Sequence, residues 1–97
     1  IIDKAFIFYI PNSFTPNNDQ INDIFKPYVS GSNEYKMYIY SRTGEIIFET
    51  SDINEGWNGY VKNSNKFAIS GKYAYAIEII DIHRKTRKYQ GDFLLIR

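Results

Sequence analysis

The sequence lacks the residues from which most enzyme and metal sites are built. It contains no cysteine in 97 residues, so neither a disulfide framework nor a thiolate metal site can form. Its single histidine, His83, is followed by Arg84 and Lys85 rather than by a carboxylate that would orient a catalytic imidazole. Neither a nucleophile-elbow motif nor a phosphate-binding glycine loop occurs. The sequence therefore predicts a protein that is not an enzyme and has no catalytic residue.

The chain also lacks charge imbalance and long apolar runs. Its formal net charge is +1, which gives no basis for binding nucleic acid or an anionic membrane. No apolar run approaches the roughly 20 residues of a membrane span. The first residues, Ile1 to Asp3, do not resemble a signal peptide and are typical of a cut inside a longer chain. We therefore expect residues 1–97 to form a single domain of a larger protein.

Aromatic residues are abundant, and they favour sheet over helix. Nine tyrosines and seven phenylalanines stand against one methionine and one tryptophan. No window of ten residues or more shows the i, i+3, i+4 spacing of an amphipathic helix. Seven segments have strand-like composition or alternation: Lys4–Ile10, Phe25–Val29, Glu34–Tyr40, Glu45–Thr50, Tyr60–Val61, Lys72–Ile82 and Tyr89–Arg97. They predict an all-β fold, an antiparallel, Ig-like β-sandwich of about seven strands.

The clearest of these strands is Lys72–Ile82, because its apolar residues alternate. Tyr73, Tyr75, Ile77 and Ile79 are predicted to face one way, and the other face carries Ala74, Ala76, Glu78 and Ile80. The basic segment His83–Lys88 follows as a hairpin tip. It has the charge to contact phosphate groups, but like charges at a hairpin end also discourage edge-to-edge pairing. The near-neutral chain favours the second interpretation.

A polar loop, Ile10–Phe25, interrupts the predicted strands near the start of the chain. Its sequence is I-P-N-S-F-T-P-N-N-D-Q-I-N-D-I-F. Pro11 and Pro16 restrict the backbone, and the many Asn, Asp and Ser side chains can bond back to nearby main chain. Interspersed apolar residues, such as Phe14 and Ile21, can anchor it to a core. We expect this loop to be ordered.

Composition alone leaves two possible ligands undecided, calcium and carbohydrate. Asp19, Asn22 and Asp23 supply oxygen atoms suited to calcium, but the spacing fails the known calcium-loop pattern, and a hydrogen-bonded turn explains the same residues. Exposed tyrosines on a sandwich can stack on sugar rings, although packing in the core or on a sheet face is their commoner use. A carbohydrate-binding or adhesive module, stabilised by calcium, is therefore the alternative function, and no other cofactor is predicted.

The loop sequence resembles the opening signature of the gliding-motility-associated C-terminal domain, the type B sorting domain of the type IX secretion system. That family shows P-N-x-F-T-P-N-G-D-G-x-N-D-x-F, and Asn18 and Gln20 stand here in place of its two glycines. Four further motifs follow in the family's order. They are S-R-T-G-E at 41–45 with F-E-T at 48–50, G-W-N-G at 56–59, S-G-K-Y-A-Y at 70–75, and the closing segment from Gly91 to L-I-R at 95–97.

The resemblance implies a sorting domain that directs a large secreted or surface protein through type IX secretion. It implies recognition by the secretion machinery, including an outer-membrane protein of the PorP/SprF type, after the chain reaches the periplasm of a Gram-negative bacterium. The residues expected to be read by the partner are Phe14, Thr15, Pro16, Asn17, Asp19, Asn22, Asp23, Leu95, Ile96 and Arg97. The residues expected to maintain the fold are Gly44, Gly56, Trp57, Gly59, Gly71, Tyr73 and Gly91.

Overall fold

The computed structural model describes residues 6–16, 23–61 and 66–96, and these ranges contain seven β-strands and no helix. The strands are β1 (Ile7–Tyr9), β2 (Ser13–Phe14), β3 (Tyr28–Ser30), β4 (Ser32–Tyr40), β5 (Ile46–Thr50), β6 (Gly71–Asp81) and β7 (Thr86–Leu95). They form a two-stranded sheet, β1–β3, and a five-stranded sheet in the order β2–β7–β6–β4–β5. The predicted all-β, sandwich-like fold is confirmed.

The centre of the large sheet is the antiparallel pair β4 and β6, whose inward residues are apolar. Tyr35, Met37 and Ile39 of β4 are buried, and Ile77 and Ile79 of β6 are buried beside them. Met37 lies opposite Ile77 and Tyr35 opposite Ile79, so the two inner faces coincide. Each such side chain stabilises the fold by roughly 1.5–3 kcal/mol when fully buried. For β6, the alternation in the sequence therefore grouped Ile77 and Ile79 on the same face correctly.

The second layer consists of the small sheet and the loops that cross the inner face. Phe8 of β1 stacks on Tyr89 of β7, with ring centroids 3.9 Å apart. Phe14, Phe25 and Trp57 are almost fully buried between the large sheet and the loops. The core is thus closed by aromatic residues from short or irregular segments rather than by a second large sheet.

The stretch predicted as a loop, Ile10–Phe25, contains one short strand. β2 pairs in parallel with the end of β7, with Phe14 opposite Leu95. Two backbone hydrogen bonds hold it, from Leu94 N–H to Asn12 O at 2.9 Å and from Ile96 N–H to Phe14 O at 3.0 Å. A two-residue strand leaves no periodicity in the sequence, and so the pattern did not reveal it. Residues 17–22 of this stretch lie outside the described ranges.

Two hairpins of the large sheet close with the same backbone turn. In the first, Gly44 N–H bonds to Ser41 O at 3.0 Å, and Ser41 N–H bonds to Glu45 O at 2.8 Å. In the second, Arg84 N–H bonds to Asp81 O, and Asp81 N–H bonds to Lys85 O. The third loop residue is left-handed in both, with φ of 90° at Gly44 and 63° at Arg84. This is the three-residue hairpin loop that normally carries glycine at that position.

Two predicted strands differ from the structure. Tyr60 forms only an isolated bridge with Phe67, and Val61 is not part of a strand. The segment predicted from Phe25 becomes a strand only at Tyr28, because Pro27 is buried and cannot donate to a ladder. Phe25 instead forms an isolated bridge with Trp57.

Candidate recognition site

Most residues that carry the family resemblance gather at one end of the large sheet, which we call the motif end. Here Gly71, the first residue of β6, pairs with Leu95 at the end of β7. β2 lies beside them, and the aromatic residues Trp57 and Phe93 fill the core underneath. The first hairpin turn also projects from this end, since Tyr40 at the end of β4 pairs near the start of β6.

Trp57 is the centre of the packing at the motif end. Its side chain is completely buried, and its indole N–H donates to Tyr60 O at 2.7 Å. Its backbone exchanges two hydrogen bonds with Phe25, at 2.8 and 2.9 Å. Its ring lies 5.4 Å from that of Phe14 and 5.2 Å from that of Tyr73. Trp57 thereby connects the segment around Phe25 to β2, through Phe14, and to β6, through Tyr73.

Glycine at two positions is required by close approach. A Cβ added at Gly56 would lie 2.8 Å from Phe25 O and 2.9 Å from Lys26 Cβ. A Cβ added at Gly91 would lie 2.8 Å from the hydroxyl of Tyr75, whose ring crosses the β7 backbone at that point. Three other glycines of the motifs have positive φ: Gly44, Gly59 and Gly71. At Gly44 and Gly71 an added Cβ would meet no atom within 4 Å, so only the backbone conformation favours glycine there.

The residues predicted to contact a partner fall into four groups. Phe14 and Leu95 are buried, so they position the surface from beneath rather than form it. Ile96 is 49% exposed, and it directly follows the last residue of β7. The half-buried members are Thr15, Pro16 and Asp23. The members that lie outside the described ranges are Asn17, Asp19, Asn22 and Arg97.

One exposed apolar residue of this end, Leu94, lies within the last-strand segment 93–97 that was predicted to belong to the recognition face. Leu94 is 44% exposed and lies on the outer face of β7, between the buried Phe93 and Leu95. The alternation of the last strand already placed it on the same face as Ile96. Leu94 and Ile96 therefore give the end of β7 two exposed aliphatic side chains on its outer face.

The calcium hypothesis rests mainly on residues outside the described ranges. Of its three ligands only Asp23 is described, and it is half-buried. Among residues 6–16, 23–61 and 66–96, no group of three or more His, Cys, Asp or Glu side chains is arranged to hold a metal ion. The calcium hypothesis therefore stays a prediction.

The opposite end of the large sheet, which we call the clasp end, is organised by one buried carboxylate. Asp81 Oδ1 accepts hydrogen bonds from the backbone N–H groups of His83 and Lys85, both at 2.9 Å. Its Oδ2 accepts from Arg87 Nε at 3.1 Å. Arg87 also lies over the Phe6 ring, 4.3 Å from its centroid. Arg87 is therefore bound within the fold, unlike the solvated charge expected for this basic tip.

These contacts shift the acidity of both partners. The N–H of Lys85, followed by Arg87 and the N–H of His83, holds the pKa of Asp81 below its ordinary value of 3.8, although burial opposes this. The hydrogen bond to Asp81 raises the pKa of Arg87 in turn. Asp81 and Arg87, which we call the clasp, are thus a charged pair tied to the turn. Nothing in the sequence pattern distinguished Asp81 from the other acidic residues.

The tyrosines that suggested a carbohydrate site are divided among several places. Tyr35 and Tyr73 belong to the core, and burial raises the pKa of Tyr35. Tyr38 and Tyr40 lie half-buried on the outer face of β4, with ring centroids 6.5 Å apart. Their rings are tilted against each other by 33°. The alternative of a sugar-binding module is a prediction that these positions leave open.

Comparison with protein families matches residues 8–96 to the CHU_C Type IX secretion signal domain. The chain belongs to this family. A search of curated proteins gave no match. The match extends from β1 to the residue after β7, so it includes the complete sheet and both of its ends. In the described ranges there is also no helix long and apolar enough to cross a membrane.

Membership of this family settles the broad role of the domain. It is a sorting signal for type IX secretion, and it acts through that secretion system to bring about export or display at the cell surface. Secretion signal domains are not an enzyme family. The resemblance stated from the sequence is therefore confirmed over nearly the full chain.

Proposed function

We propose that residues 1–97 form a single, non-enzymatic C-terminal sorting domain of a larger secreted protein, recognised as a folded surface. The observation that supports this is the family match across the complete sheet. A family that is defined over residues 8–96 is much longer than a short linear address. Its partner is an outer-membrane protein of the PorP/SprF type, which meets the domain after the chain has entered the periplasm.

The surface that this partner reads is the outside of the motif end. Thr15 and Pro16 follow β2, and Ile96 follows β7 on the adjacent strand. Leu94 lies on the outer face next to them. Binding loops and strand ends held by a rigid core are a common construction for recognition. Here the core beneath the surface consists of Phe14 and Leu95, which are both buried.

The proposal is tested by export of a reporter. Residues 1–97 are fused to the C-terminus of a secreted fluorescent or enzymatic reporter, in a host with a type IX system. We expect the reporter in the medium or on the cell surface, and retention in the periplasm when the domain is deleted. Export that is equal with and without the domain would contradict the sorting role of this chain.

The partner is tested separately from the role. Deleting the gene for a PorP/SprF-type protein should retain the same fusion in the periplasm, while a cargo that uses another type of signal domain continues to be exported. Export of the fusion without any protein of that type would contradict the partner and leave the sorting role intact.

A further inference from the structure

β4 is paired along its whole length on one side and along only half of it on the other. β6 pairs with β4 from Ser32 to Tyr40, whereas β5 pairs only from Met37 to Tyr40. In the described ranges no strand continues β5 along the remaining part, Ser32–Lys36. We call this part the open half-edge. An unpaired strand edge is a template on which another strand can pair.

The backbone groups of Tyr35 point toward the open half-edge. Backbone hydrogen bonds in an antiparallel strand alternate between its two neighbours from one residue to the next. Ser41 N–H bonds to Glu45 O on the β5 side, and β4 is regular from Glu34 to Tyr40. Met37 is therefore directed toward β5, and Tyr35, two residues earlier, is directed the same way beyond the point where β5 ends. Its N–H and C=O are available to a further strand.

β5 does not extend along this edge because a built turn takes the chain away. Asp52 N–H donates to Thr50 Oγ1 at 3.0 Å, and Asn54 N–H donates to Asp52 Oδ1 at 2.9 Å. Glu55 N–H bonds to Asp52 O at 3.0 Å. These three hydrogen bonds form a turn directly after Thr50, and the turn directs the chain away from β4. The open half-edge is thus a consequence of the turn.

A groove lies where the continuation of β5 would run. It has a volume of about 810 Å³, it lies between Ser32–Lys36 and Ser51–Ile53, and it extends over Glu78 and Ile80 of β6 on the outer face. An extended strand of four residues has a length of roughly 14 Å. Backbone pairing groups and room for a strand therefore coincide at this one edge.

The other strand edges of the large sheet combine these features less well. β5 is short, is broken by a bulge between Phe48 and Ile46, and carries the exposed charge of Glu49. Bulges and charges of this kind discourage pairing. The outer edge of β7 is paired by β2 at one end, and Phe8 stacks on Tyr89 farther along.

The charges beside the groove select the chemistry of a strand that would enter it. Three acidic side chains, Glu34, Asp52 and Glu78, line the groove with one basic side chain, Lys36. Glu34 and Lys36 both belong to the open half-edge. Lys36 lies opposite Glu78 of β6, whereas Glu34 lies opposite the apolar Ile80 and would face the nearest side chain of an added strand. Opposite charges on directly facing strand positions stabilise pairing, whereas like charges weaken it.

We propose that the open half-edge is a second interaction site, which binds an extended, positively charged segment of a partner protein by strand addition. The segment pairs with the backbone of Tyr35 in line with β5, and it places a lysine or arginine against Glu34. Main-chain hydrogen bonds supply the affinity in this mode of recognition, and the side chains supply the selectivity. This site is separate from the motif end, and it does not depend on the proposed sorting partner.

The probe for this site is a short peptide with blocked ends that alternates valine and lysine. A valine–glutamate peptide of equal length tests the charge, and a valine–lysine peptide with N-methyl groups on alternate residues tests the backbone pairing. We expect the first peptide to bind the 97-residue chain and to slow hydrogen exchange of the Tyr35 amide. Amides of β5 should exchange as before.

Two variants with the same change of charge separate the site from general attraction. Glu34→Lys should weaken binding of the valine–lysine peptide by about fivefold or more, since it replaces an attraction by a repulsion. Glu45→Lys, in the turn at the other end of β4, should leave binding within about twofold. Thermal unfolding of both variants checks that each remains folded.

Each remaining outcome counts against the proposal. Absence of binding at about 1 mM peptide overturns the proposal, which requires a dissociation constant below that value. Equal binding of the valine–glutamate peptide overturns the charge selection. Binding that survives N-methylation, or that protects the amides of β5 or β7 instead of Tyr35, overturns strand addition at this edge.

Discussion

The two ends of the large sheet are stabilised by different kinds of interaction. The motif end is packed by aromatic rings, with Trp57 completely buried between Phe14 and Tyr73. The clasp end is held by hydrogen bonds from one turn to the carboxylate of Asp81, and by the ion pair of that carboxylate with Arg87. Nonpolar packing is nearly independent of pH, whereas a charged pair is not.

The family resemblance follows the same division. None of the motifs that carry it includes a residue of the second hairpin turn, from Asp81 to Lys85. The motifs instead include Gly56, Trp57 and Gly91, which the packing at the motif end requires. The comparison teaches that the two ends have separable tasks. The motif end presents the proposed recognition surface, and the clasp end holds β6, β7 and the small sheet together.

Replacing Trp57 should have the largest effect on stability. Trp57→Ala removes a completely buried ring that contacts Phe14 and Tyr73, and we expect it to lower the free energy of unfolding by about 3–5 kcal/mol. Urea unfolding followed by tyrosine fluorescence measures this. Ile69→Ala, at a residue that is 68% exposed, is the control and should change stability by no more than about 0.5 kcal/mol. Similar losses in both variants would contradict the account of the motif end.

A methyl group at Gly56 should have the next largest effect. Gly56→Ala places a Cβ 2.8 Å from Phe25 O, and backbone cannot move aside as the end of a long side chain can. We expect a loss of about 1–3 kcal/mol, measured by the same unfolding experiment. The added strain should also speed exchange of the Trp57 and Phe25 amides, whose hydrogen bonds adjoin Gly56. A variant of unchanged stability would show that this approach is looser than the structure indicates.

The stability contributed by the clasp end should depend on pH, whereas the stability contributed by the motif end should not. Because the pKa of Asp81 is lower in the folded than in the unfolded chain, its carboxylate contributes stability above about pH 4. That contribution is lost as the pH falls through the lowered pKa. Asp81→Asn should therefore be less stable than the parent at neutral pH, and the difference should shrink in acid. Urea midpoints measured across this pH range provide the test.

A surface carboxylate serves as the control for Asp81. Asp92 lies 3.9 Å from Lys72, and both side chains are more than half exposed. Asp92→Asn should therefore follow the parent at every pH, since exposed pairs contribute little. If Asp81→Asn also followed the parent, the clasp would not be holding this end of the sheet.

The two hairpin turns allow the finest comparison, with effects of opposite sign. Both have the same hydrogen bonds and a left-handed third residue, but one has Gly44 there and the other has Arg84. Gly44→Ala should destabilise by about 1 kcal/mol, and Arg84→Gly should stabilise by about 0.5 kcal/mol after the added flexibility of the unfolded chain is subtracted. Thermal unfolding midpoints measure both. Shifts of the same sign would contradict the equivalence of the turns.

The sequence predicted those parts of the fold that repeat, and it missed those that depend on single contacts. Alternation over 11 residues was sufficient to group the residues of β6 correctly by face. β2 has only two residues, which is too short for a sequence pattern to indicate a strand. It forms because the chain lies beside β7 and pairs with it. Arg84 is left-handed although its residue type disfavours that conformation, because the Asp81 clasp fixes the turn around it.

The candidate site was predictable in the same limited sense. The motifs located the correct end of the sheet, but they did not separate residues that form the surface from residues beneath it. Phe14 and Leu95 are buried, whereas Leu94, in the same predicted last strand, is exposed. Burial depends on which segments meet in the fold, so only the parity of an established strand could have assigned Leu94 to the outside.

The most direct test of the central claim compares export of two matched surface variants of the reporter fusion. Ile96→Ser changes an aliphatic residue that is 49% exposed at the motif end, and Ile82→Ser makes the same change at a residue that is 43% exposed at the clasp end. Both should unfold at nearly the parent temperature. We predict that Ile96→Ser reduces export while Ile82→Ser does not. Equal export of the two folded variants, or a loss confined to Ile82→Ser, would contradict recognition at the motif end.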